Sequence, residues 1–92
     1  MVYTKAFDTW VNAESGWQVD VASPANNQGM PNYGLFQFWA GHPWVSDYLS
    51  GNHFTASPFE QAVLVARYFD LTPDDIRSYA AAIQGGDYRG WG

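Results

Sequence analysis

Apolar residues along the chain fall into short runs with two different periods. Tyr3, Phe7, Trp10 and Val11 recur every three or four residues, which places them on one face of a helix. The spacing predicts a first helix from about Thr4 to Glu14, with Glu14 on the same inner face and Gly16 as its stop. Trp17 to Pro31 reads as a loop, because Ser23-Pro24-Ala25-Asn26-Asn27-Gln28-Gly29 is dense in turn formers. Tyr33 to Trp39 is aromatic and extended, and Gly34 limits it to a short strand or small hairpin.

Three further helices follow. A short one is predicted from Pro43 to Leu49, ended by Gly51-Asn52. Ser57-Pro58-Phe59-Glu60 is a capping box with proline in the first helical position, opening a helix to about Phe69. Its predicted inner face is Phe59, Val63 and Ala66, with Ala62 and Phe69 beside them. Thr72-Pro73-Asp74-Asp75 repeats the device for a last helix through Ile76, Tyr79, Ala80 and Ile83, stopped by Gly85-Gly86. The layout is that of one α+β, mainly helical domain with one short extended region.

Composition narrows the function classes. With 92 residues and no cysteine, the fold rests on its core alone, without disulfides. His42 and His53 are eleven positions apart and lack metal-ligand spacing, so neither a metal nor a cofactor is expected. Net charge is −5, and Lys5, Arg67, Arg77 and Arg89 form no cluster, which argues against nucleic acid as a partner. No segment has the length to span a bilayer, and the first residues carry no signal-peptide core. The ending Gly90-Trp91-Gly92 suggests a domain cut from a longer chain, with flanking modules, acting as a monomer.

Aromatic residues make up 18% of the chain, part of which is core and part of which can stack on sugar faces. Glu14 stands out among the carboxylates. It closes a helix between Trp10 and Trp17, where burial would keep it protonated, as a general acid at a glycosidic oxygen must be. The plain alternative is a solvated residue at a helix end. Asp20 is the nearest second carboxylate and reads as a solvated loop residue. Asp8 has the wrong helical spacing to pair with Glu14. Gln37 and Tyr33 offer polar groups on an aromatic segment, against packing or surface roles. Tyr88 and Arg89 lie on a glycine-flanked tail that can close one end of a groove.

Glu14-Ser15-Gly16-Trp17, a polar loop, and Tyr33-Gly34-Leu35-Phe36-Gln37-Phe38 together resemble the lysozyme-like superfamily. Soluble lytic transglycosylases carry Glu-Ser, a loop, then Gly-Leu-Met-Gln, and here Phe36 stands at the methionine position. Their third element, Ala-Tyr-Asn-x-Gly, corresponds to Ala82-Ile83-Gln84-Gly85-Gly86, with Ile83 for tyrosine and Gln84 for asparagine. Ala56-Ser57-Pro58-Phe59-Glu60-Gln61-Ala62 and the Gly-Trp ending are similar to resuscitation-promoting-factor domains and small phage-borne transglycosylases. The resemblance covers about Phe7 to Trp91.

The resemblance implies a small lysozyme-like domain acting on the glycan strands of peptidoglycan at the bacterial cell wall, extracellular or virion-associated. Glu14 would be the single catalytic acid, with Gln37, Tyr33, Gln84 and Tyr88 binding substrate. A transglycosylase would close a 1,6-anhydromuramic ring, whereas a hydrolytic muramidase would admit water. Two-carboxylate glycosidases hold their acids on the order of 5–9 Å apart. The absence of a clear second acid tilts the expectation towards ring closure. A non-catalytic glycan-binding module and a structural module are the competing readings.

Overall fold

Among the described residues, each α-helix begins on a side-chain cap. The computed structural model describes residues 4–24 and 29–91. Tyr3 of the predicted first-helix face, Ala25 to Gln28 of the loop, and Gly92 of the tail lie outside the described residues. Thr4 caps α1 (Lys5–Ser15), accepting from the Phe7 backbone N–H at 3.1 Å. Gly16 ends it at φ 63°, a left-handed geometry in which its N–H reaches the Asn12 carbonyl at 2.9 Å. Capping boxes open α2 (Pro58–Phe69) and α3 (Pro73–Gly85), through Ser57 with Glu60 and Thr72 with Asp75.

Between α1 and α2 the chain makes two antiparallel hairpins. The first pairs β1 (Asn32–Tyr33) with β2 (Phe38–Trp39), as the aromatic segment suggested. The predicted loop contributes to it, because Ala22 bridges to Tyr33 and the Gly34 N–H donates to the Val21 carbonyl at 2.8 Å. A 3₁₀ helix (Pro43–Tyr48) then leads into the second hairpin, β3 (Leu49–Ser50) with β4 (His53–Phe54). The sequence reading took Gly51-Asn52 only as a helix stop. The pair is instead the two-residue turn of this hairpin, with Gly51 at φ 60°.

Trp10, Val11, Leu35, Phe36, Phe38, Val45, Phe54, Leu64, Val65 and Ile76 form one buried cluster. Fully burying a side chain of this kind contributes about 1.5–3 kcal/mol. Around Trp10 the rings meet edge-on or tilted, as with Phe36 at 5.3 Å and Trp91 at 5.0 Å. Trp91 is anchored by its indole N–H, which donates to the Phe36 carbonyl at 2.8 Å. The tail is thereby packed onto the core, and α1 lies along α3.

The inner face of α2 differs from the predicted one. Gln61, Leu64 and Val65 are buried, whereas Phe59 is 79% exposed and Val63 and Ala66 also face outward. The reason is Gln61, which is fully buried and hydrogen-bonds at both ends of its amide. Its Oε1 accepts from the Leu35 N–H at 2.8 Å, and its Nε2 donates to the Val19 carbonyl at 3.0 Å and the Ala56 carbonyl at 3.1 Å. A hydrophobic-period reading excludes glutamine from a core, yet three otherwise unsatisfied backbone groups draw it in. Gly34 faces it at φ 81°, and a Cβ there would collide with the Gln61 amide oxygen.

Gln61→Leu keeps the volume but leaves one N–H and two carbonyls without their partner. We expect a loss on the order of 3 kcal/mol, given about 1–3 kcal/mol for each stranded buried group and partial rescue by water. Urea unfolding of the two proteins measures it, and a loss under about 1 kcal/mol would show that Gln61 is not the tie described.

Candidate active site

Glu14 occupies the last turn of α1 and is half-buried. Tyr88, 74 residues later, donates its hydroxyl hydrogen to Glu14 Oε2 at 2.6 Å. The same hydroxyl oxygen accepts from the Trp10 indole N–H at 3.1 Å. Trp10, Tyr88 and Glu14 thus form a directed chain of hydrogen bonds. Trp10 is fixed in the core, and the Tyr79 ring packs against both Trp10, at 5.7 Å, and Tyr88, at 6.0 Å.

Burial raises the Glu14 pKa above the ordinary glutamate value, and the Tyr88 hydrogen bond opposes it without cancelling it. The negative end of the α1 dipole also favours the neutral acid. Tyr88 is pushed far up, first by burial and then by the neighbouring carboxylate, so it stays a donor at every physiological pH. The arrangement can hold a proton on Glu14, release it, and stabilise the resulting anion through one oxygen.

The residues after Glu14 shape the approach to it. Ser15 is buried and its hydroxyl donates back to the Val11 carbonyl at 3.2 Å, which makes it a helix-end residue. Trp17 adopts φ 61°, a backbone region costly for a bulky side chain. Its indole N–H donates to Asp8 Oδ1 at 2.9 Å, and its ring meets Phe7 edge-on at 5.9 Å. Trp17 is 39% exposed. Asp8, which the sequence set aside as a partner of Glu14, has this separate role.

Asp20 is not a free loop carboxylate. It accepts from the Phe54 backbone N–H and pairs with His53 Nδ1 at 2.8 Å, clasping the loop to the second hairpin. The His53 hydrogen bond and then that of the Phe54 N–H hold its pKa below the ordinary aspartate value. It is therefore an ionised anchor committed elsewhere. Asp74 pairs with Arg77 on α3, and Asp75 and Glu60 serve as caps. Among the described residues, no group of three or more histidine, cysteine or acidic side chains is placed to hold a metal.

Of the five residues singled out in the sequence, the structure joins two, Glu14 and Tyr88. Gln37 lies in the β1–β2 turn at φ 56°, and its Nε2 donates to the Gly34 carbonyl at 3.0 Å, inside its own turn. Tyr33 is buried, with its ring stacked on Phe54 at 6.2 Å. Gln84 is exposed near the end of α3 and makes no hydrogen bond to Glu14. Sequence reasoning missed the donor role of Trp10 and the Asp20–His53 clasp, since each joins segments far apart in the chain. Compared with protein-family models, curated proteins and solved structures, the chain matches none.

Two outcomes test the electrostatics. Removing the hydroxyl in Tyr88→Phe deletes the interaction that lowers the Glu14 pKa, so its titration moves to higher pH, as followed by carboxyl NMR. Stability provides the second. Because the folded protein holds the Glu14 proton more tightly than the unfolded chain, stability falls as pH rises from the ordinary glutamate value through the raised one. Glu14→Gln cannot ionise and escapes that loss. It should be more stable than the parent at neutral pH, and the advantage should vanish in acid when melting is compared at both.

Proposed function

We propose that the domain cleaves the β-1,4 bond between N-acetylmuramic acid and N-acetylglucosamine in peptidoglycan, with Glu14 as the single general acid and base. The observation that carries this reading is the half-buried, proton-retaining Glu14 carboxyl with Tyr88 donating to one of its oxygens. In the first half of the reaction Glu14 gives its proton to the glycosidic oxygen, and the bond to the muramic C1 breaks with oxocarbenium character. Tyr88 then steadies the carboxylate that forms. In the second half that carboxylate takes the proton of the muramic C6 hydroxyl as the hydroxyl oxygen bonds to C1. The products are a glucosamine hydroxyl and a 1,6-anhydromuramic end, and no water is consumed.

Ring closure is favoured over hydrolysis because, among the described residues, no second carboxylate shares the Glu14 hydrogen-bond chain, and Asp8, Asp20, Asp74, Glu60 and Asp75 are engaged at Trp17, His53, Arg77 and the helix starts. The small α+β fold, with two hairpins between the helix bearing Glu14 and the later helices, is compatible with a lysozyme-like domain. The exposed Trp17 supports a sugar-stacking surface three residues from the acid. With a net charge of −5 the domain would not be drawn to an anionic wall, so a flanking module or close-range groove contacts would bring it there.

Glu14→Gln preserves shape and still accepts from Tyr88, but it has no proton to give. Release of soluble fragments from purified cell walls should fall by roughly 10²–10⁴-fold, the usual worth of a general acid. Undiminished release would remove Glu14 from the mechanism. Mass spectrometry of the fragments separates anhydro ends from reducing ends, which are heavier by one water, and reducing ends throughout would make the enzyme a hydrolase.

A further inference from the structure

The outward face of α2 is apolar at coiled-coil spacing. Phe59, Val63 and Ala66 are exposed at intervals of four and three, and Asp70 ends the stripe four residues on. Glu60 and Arg67 are seven residues apart, so they stand on the same flank of that stripe. They border a shallow cavity of about 260 Å³ together with Tyr48, Phe59, Val63 and Leu64. Glu60 uses one oxygen to cap Ser57, and Arg67 has no ion pair among the described residues.

We infer that this face binds a second copy of the chain through antiparallel pairing of α2 with α2. The charge pattern is self-complementary only in that arrangement. A two-fold axis perpendicular to the helix pair sets Val63 of each copy against Ala66 of the other. The same operation places Glu60 opposite Arg67 at both ends, on one side of the pair, where an antiparallel coiled coil brings such flanking residues together. A parallel pair would put the two copies' charged flanks on opposite sides of the interface, where Glu60 and Arg67 meet no opposite charge. Ala66 is small enough to let the helices approach, and Phe59 extends over the last turn of the partner helix. The inference departs from the monomer expected from sequence, where the apolar pattern places these same residues on the inner face of α2. It stands independently of the catalytic proposal.

The face is one helix long, so association should be weak, with half-dissociation in the micromolar to millimolar range. Sedimentation equilibrium at physiological salt tests it, since the Debye length of about 8 Å mutes the repulsion of the two net charges and spares pairs in contact. The parent should dimerise, and Val63→Glu should weaken the dimer by at least about tenfold. Arg67→Glu alone and Glu60→Arg alone should each do the same, because each sets like charges together at both ends. Mixing those two variants should restore dimers as heterodimers with two opposite-charge contacts. Circular dichroism on each variant confirms that α2 remains folded. A parent that stays monomeric at millimolar concentration, a dimer indifferent to Val63→Glu, or a mixture that does not reassociate would each overturn the proposal.

Discussion

One buried amide ties three separate stretches of this domain to one another. Gln61 lies in the first turn of α2, and its side chain reaches the turn after β1, the loop after α1 and the residue preceding its own cap. The hairpin strands are only two residues long and would be marginal alone. Their position is fixed by this side chain and by the aromatic cluster beneath them. Replacing glutamine with an apolar residue would fill the space and still leave the loops without their anchor.

That same amide explains where the sequence misled. Helix limits were legible because caps are local: Thr4, Ser57 and Thr72 sit beside the backbone groups they satisfy. The orientation of α2 was not legible, since the helix is apolar on two faces. Periodicity favoured Phe59, Val63 and Ala66, but long-range backbone groups needing a partner drew in Gln61 instead. The second hairpin was not legible, because strands two residues long show no alternation and Gly51-Asn52 serves equally as a helix stop. Glu14 could be singled out as an acid among aromatics. Its bond to Tyr88 could not be foreseen, because nothing local ties residues so far apart.

At Glu14 two opposing influences act on one group. Burial discourages charge, and the Tyr88 hydroxyl welcomes it. Burial alone would make a strong hold on the proton and a poor means of releasing it. The hydroxyl alone would leave an ordinary ionised surface carboxylate. A group serving as acid and then base needs both, and the indole of Trp10 keeps the hydroxyl turned towards the carboxylate.

Trp91 gives the site a dependence on time. Its indole grips the Phe36 carbonyl and so holds in place the segment that carries Tyr88. During synthesis the acid emerges early, and its donor emerges only near the end of this stretch of chain. A partly made domain therefore has the carboxyl without the hydroxyl that tunes it. Docking of the tail is what brings the Tyr88 hydroxyl to the Glu14 carboxyl.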